Sequence, residues 1–179
     1  MLFRSGQVPL APLPVRQYAT WMMHAEAHEA WLSLSMMAQL SLRQGSIDRT
    51  SFSLPAALPE AHVTGPEVRE MRSRVEGVRR IYEVDFQNDV YDTVEFTVDV
   101  DLMMPEGKRG DRKVNEITLP APEFPEALIT TGYVIADNAS EYELKLETEG
   151  AEKALPSVIP WLPSVTKAAG IFRVQPQWK

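Results

Sequence analysis

Two histidines, His24 and His28, stand four residues apart in His24-Ala25-Glu26-Ala27-His28-Glu29. On a helix, positions i and i+4 share a face, so the pair has a spacing that suits two metal ligands. The zincin pattern puts glutamate directly after the first histidine, where this chain has Ala25; the inverted pattern puts it directly before the second, where it has Ala27. A third ligand would come from His62, the remaining histidine, or from a carboxylate such as Glu60. Metal-assisted chemistry is one reading of this segment. The plainer one is two polar residues on an exposed strip of helix.

Other candidates follow the same split. Glu95, Asp99 and Asp101 offer paired carboxylates for acid–base work. They alternate with Val94, Phe96, Val98, Val100 and Leu102, which makes them the solvated face of a strand. Arg69, Arg72, Arg74, Arg79 and Arg80 could form a phosphate patch, but Glu67, Glu70 and Glu76 are interleaved and point to local ion pairs. Trp161 lies between Pro160 and Leu162-Pro163, where an extended aromatic can dock in a groove or fold back on its own core. The chain has no Gly-x-Ser-x-Gly turn, no glycine-rich phosphate loop and no dinucleotide fingerprint.

The elements that must position these residues read as α+β. Residues 15–44 lack internal proline and glycine, are rich in Ala, Leu, Met, Glu and Gln, and stop at Gly45, which predicts a long helix. Its apolar surface is wide enough to ask for burial on more than one side. Thr64-Gly65-Pro66-Glu67 matches a capping box, and Val68, Met71, Val75, Val78 and Tyr82 follow at helical spacing, which predicts a second helix over 64–84. From about residue 90 the period is two. Strands are expected over 94–102, 114–119, 128–136, 142–148 and 171–174, in a mostly antiparallel sheet, with a hairpin tip at 105–112 and a turn at Asp137-Asn138. Residues 1–14 read as an extended arm and 15–179 as one domain, with a proline-rich segment over 156–179.

The chain has 179 residues, no cysteine and a formal net charge of −7. It therefore has no disulfide framework, thiolate metal site or cysteine nucleophile. Its acidity makes it a poor non-specific binder of nucleic acid and suits a partner with a basic face. Residues 1–15 lack the apolar run of a signal peptide, and Ala30 to Leu42 is too short for a helical membrane span. The expected location is therefore cytoplasmic or within a virion or other complex.

These features predict a non-catalytic structural or assembly subunit of a larger complex, such as a virion connector, tail or decoration component or an accessory subunit. It would bind protein partners, copies of itself included, through the arm, the long helix and the hairpin tip. The candidate contact residues are Trp21, Trp31, Met36, Met37, Trp161 and Trp178, and no cofactor is expected. One alternative is an acidic inhibitor or immunity-type binding protein, for which a contiguous acidic face would be the signature. Another is a metal-dependent enzyme using His24 and His28.

Overall fold

The structure, a computed structural model, describes residues 14–103, 118–141, 151–154 and 168–178. Among them there is no helix. The segment expected to be one long helix is a hairpin of β1 (Arg16–Ala27) and β2 (Trp31–Arg43), closed by a turn at His28-Glu29-Ala30. Leu32, Leu34, Met36, Ala38, Leu40 and Leu42 are buried at every second position, with Ser33, Ser35, Met37, Gln39 and Ser41 between them only half-buried. That is the pleat of a strand, not the 3.6-residue turn of a helix. Periods of 2 and 3.6 both return to the same side after four residues, so apolar residues four apart in this segment fit either geometry.

The second expected helix is also a hairpin. It comprises β5 (Val68–Glu76) and β6 (Arg79–Val90), joined through Gly77-Val78. Gly77 has φ 59°, in the left-handed region that glycine occupies without steric cost. Thr64 closes the short β4 (His62–Thr64) instead of capping a helix. The remaining strands are β3 (Ile47–Pro55), β7 (Thr93–Met103), β8 (Ala127–Asn138), β9 (Ala151–Lys153) and β10 (Ala168–Trp178). The strands expected over 94–102, 128–136 and 171–174 thus lie within β7, β8 and β10. Asp137 and Asn138 belong to β8 and form no turn. The expected arm, the hairpin tip at 105–112, the strand over 142–148 and Trp161 lie outside the described residues, as does most of the expected strand over 114–119.

Among the described residues ten strands make two sheets. The larger has seven, in the order β4-β7-β2-β1-β8-β10-β9, and the smaller three, in the order β3-β6-β5. All pairings are antiparallel except β1 with β8. The inward faces share one core. Trp21, Met23, Leu34, Met36, Phe96 and Val98 from the large sheet join Phe52, Leu54, Tyr82, Val84 and Phe86 from the small one. Phe52 is its centre, stacked on Tyr82 at 4.8 Å and tilted against Phe96 at 5.7 Å and Phe124 at 5.9 Å. The buried Tyr82 hydroxyl accepts a hydrogen bond from Ala61 N–H at 3.0 Å, so its oxygen is not left unpaired.

The edges are blunted. β4 and β9 are three residues long. The open edge strand β5 carries Arg69, Glu70, Arg72, Arg74 and Glu76, and an incoming strand would have to desolvate those charges. Ser53 and Glu123 exchange backbone hydrogen bonds at 2.9 and 3.0 Å, which ties the chain after residue 118 to the free side of β3.

One close approach fixes the inner face. A Cβ on Gly132 of β8 would lie 2.1 Å from the indole of Trp21 on β1. The glycine lets a large aromatic lie across the neighbouring strand. Gly132→Ala is expected to destabilise the fold by about 1–3 kcal/mol through overpacking. Urea denaturation checks this, and the loss should shrink when Trp21→Leu is already present, because the two changes share one contact.

Candidate functional site

The outward face of the large sheet gathers the chemistry-bearing residues. Register places His62, Asp99, Ser35, His24, Ile135 and Ile171 in one row across β4, β7, β2, β1, β8 and β10. The next row toward the β1–β2 turn holds Asp101, Ser33, Glu26 and Asp137. Strand pleating directs paired positions to the same side, so these side chains share a surface.

The polar groups there satisfy one another across strands. Ser33 Oγ donates to Asp101 Oδ1 at 2.9 Å, Ser35 Oγ to Asp99 Oδ1 at 2.7 Å, and Gln39 Nε2 to Glu95 Oε1 at 2.6 Å. His24 Nε2 lies 2.7 Å from Asp137 Oδ2, and the other oxygen, Asp137 Oδ1, is buried without a hydrogen-bond partner. His28 Nε2 is 3.6 Å from Glu26 Oε2, and its ring stacks on Trp31 at 4.6 Å. Toward β10 the face becomes apolar, where Met22, Tyr133, Ile135 and Ile171 form a second buried cluster.

The small sheet treats its carboxylates differently. Glu70 pairs with Arg72 at 2.8 Å, Glu76 with Arg74 at 2.7 Å, and Glu83 with Arg74. Asp85, only 8% exposed, has Arg72 at 3.4 Å, Arg49 at 3.9 Å and Arg69 at 4.0 Å around it. On the large sheet, among the described residues, no Lys or Arg pairs with Glu26, Glu95, Asp99, Asp101 or Asp137. Hydroxyl and amide donors hold Asp101, Asp99 and Glu95 without cancelling their charge, and histidines face Asp137 and Glu26. The outward arginines of β1 and β2, Arg16 and Arg43, pair in register at the opposite end of the hairpin. They are roughly 30 Å from the Ser33 row at strand rise, well beyond a screening length of about 8–10 Å.

The expected site residues fall in different places. His24 lies in β1, where it faces Asp137, and His28 lies in the β1–β2 turn, where it faces Glu26 and stacks on Trp31, so each ring is engaged with different partners. Among the described residues no group of three or more His, Asp or Glu is arranged to hold a metal. Trp21 and Met36 are each 2% exposed, inside the chain's own core. Met37 is outward and half-buried, Trp178 pairs with Ile129, and Trp31 is 43% exposed. Met103 and Asp137 were not anticipated. The serine alternation of β2 matching the aspartate alternation of β7 was a signal for the β2–β7 pairing that brings Met103 beside Trp31; nothing in the sequence pointed to Asp137 as the partner of His24.

No protein-family model matches the chain, and no curated protein matches it. Among solved structures it is similar to an M1 zinc metallopeptidase from Deinococcus radiodurans, at 14% identity and a TM-score of 0.41. That match covers 89% of this chain and 38% of the other, and a variant of the peptidase bound to a Tyr-Ser-Ala substrate gives the same values. The chain therefore spans well under half the length of those structures, and a likeness this distant carries no argument about its activity. None of the comparisons bears on a virion role. Among the described residues no helix is long and apolar enough to cross a membrane.

The ion pairs of the small sheet set a pH dependence. The hydrogen bond and charge of Arg72 hold Glu70 below its ordinary pKa, and those of Arg74 do the same for Glu83. The arginines are raised in return, Arg72 chiefly by its bond to Glu70 and Arg74 chiefly by its bonds to Glu76 and Glu83. A depressed folded-state pKa contributes stability that is present above the unfolded value and is lost as pH falls through the folded one. Carboxyl NMR titration should therefore place Glu83 below the ordinary value of about 4.3, and Arg74→Ala should bring it back up. An unchanged midpoint would contradict the pairing.

Proposed function

We propose that the domain is a non-catalytic protein-binding module of a larger assembly and that it docks through the open face of its large sheet, the outward side of β7 and β2 with the adjoining end of β1. The observation that carries this reading is how the polar groups of that face are arranged. They are bonded laterally, strand to strand, over a broad surface. They do not converge on an enclosed space. An apolar cleft between the sheets, lined by Met23, Leu34, Met36, Leu54, Leu58, Val98, Val100 and Pro120, has room for about 10 Å³, no more than one water. Small-molecule sites are concave and many times larger.

Uncompensated carboxylates support the inhibitor-like alternative within the same class, an acidic surface that steers onto a basic partner. Joint catalysis by His24 and His28 finds no support in their partners, Asp137 for the first and Glu26 with Trp31 for the second.

Photocrosslinking amino acids at Ser35 and Thr97, on the open face, should give discrete protein adducts in cells that make the chain. The same groups at Arg72 and Arg74 should not. Adducts only from the small sheet, or none from the open face, would overturn the proposal.

A further inference from the structure

At the rim of the open face, Trp31 of β2 pairs with Met103 of β7. Trp31 is 43% exposed and Met103 is 82% exposed. They are neighbours on one surface and present a joint apolar contact beside the Asp101-Ser33-Glu26 row. His28, stacked at 4.6 Å with 22° between the rings, steadies the indole from one side. An anchored aromatic loses little freedom on binding, which suits it to a contact that holds a partner.

Among the described residues the charged groups bordering Trp31 are carboxylates, and the basic ring beside them is His28. Asp101 is the diagonal cross-strand neighbour of Trp31, roughly 5–8 Å away. Its Oδ1 accepts from Ser33, a neutral donor. Glu26 faces His28 at 3.6 Å. Asp99, one row further, is bonded to Ser35. Glu70, Glu76, Glu83 and Asp85 of the small sheet each pair with an arginine, whereas among the described residues Asp99 and Asp101 have no Lys or Arg partner and Glu26 has the His28 ring. The partner chemistry that complements an exposed indole bordered by uncancelled carboxylates is a planar cation.

We propose that this rim captures an arginine side chain from an extended basic segment of a partner protein, its guanidinium lying over Trp31 and its N–H groups directed at Asp101 and Glu26. Arginine fits better than lysine because its flat, weakly hydrated group can stack and donate from its edge at once. Met103 and Met37 offer adaptable apolar contact to the rest of the segment. The inference rests on the open face being the docking surface.

The probe is octa-arginine added to the intact chain at low salt, followed by the indole N–H resonance of Trp31, which is assigned by its loss in Trp31→Phe. Binding should shift that resonance and weaken with added salt. Trp31→Ala should lower affinity about 3- to 30-fold, the range for a cation on an aromatic face. Asp101→Asn, which keeps the shape, should lower it too, whereas Glu83→Gln on the small sheet should leave it unchanged. Octa-lysine should bind more weakly than octa-arginine. Equal binding of the two peptides, or an unaltered affinity in Trp31→Ala and Asp101→Asn, would overturn the proposal. If open-face crosslinks form to a partner that octa-arginine does not displace, docking stands and arginine recognition falls.

Discussion

Everything in this molecule depends on the two-residue period of β1, β2 and β7. Pleating sends successive side chains to opposite faces, so a single alternating sequence writes two surfaces at once. The inward set, from Ala19 and Trp21 through Leu34, Met36 and Leu40 to Val94, Phe96 and Val98, closes against Phe52, Tyr82 and Phe86 of the small sheet. The outward set is mostly serine, threonine, glutamine, histidine and carboxylate, with Tyr18, Met22, Met37, Trp31 and Met103 among them and Arg16 and Arg43 at one end. A one-residue slip of β2 against β7 would bury Ser33, Ser35 and Gln39 and expose Leu34, Met36 and Leu40, so the register is strongly specified. Trp21 over Gly132 extends the same logic to β8, where the absence of a side chain is what the core requires.

The two sheets handle charge in opposite ways, and that contrast gives the surface its direction. Arginines on β3 and β5 surround Asp85, Glu70 and Glu83, so the outward side of the small sheet is close to self-neutralised. It is also the side with the open edge strand, where guarded charge resists strand addition. On the large sheet Asp101, Asp99 and Glu95 are held by hydroxyls and an amide, which orient them and leave their charge in place, while Asp137 and Glu26 face histidines. Among the described residues carboxylate charge is therefore unevenly compensated, and Asp101 and Asp99, which have no Lys or Arg partner, lie near the exposed Trp31.

Much of the later chain was legible. Val94 to Leu102 alternates without interruption, and β7 spans Thr93–Met103. Residues 128–136 and 171–174 likewise fall inside β8 and β10. The first half was not, because local propensity and pattern disagreed there. Ala, Leu, Met, Gln and Glu favour helix when nothing else decides, and β1 and β2 are built largely from them. Their turn, His28-Glu29-Ala30, lacks the glycine or proline that would mark it. Pairing with β7 and β8 overrides the propensity, and those partners are 50 to 110 residues away in sequence. In β5 and β6 the spacing of Val68, Met71, Val75, Val78 and Tyr82 counts straight across a turn, so its helical look is accidental. The site shared this fate. Glu95, Asp99 and Asp101 were read as a solvated strand face, which is where they lie, but their donors Ser33, Ser35 and Gln39 were placed on a helix.

Because the chain contains no cysteine, its alternation can be tested directly by single cysteines placed at each position from Ser33 to Ser41 and timed for thiol labelling. The account predicts fast labelling at 33, 35, 37, 39 and 41 and slow labelling at 34, 36, 38 and 40. Protection recurring every three to four residues would contradict it, and would remove both the sheet and the face on which the proposed binding depends.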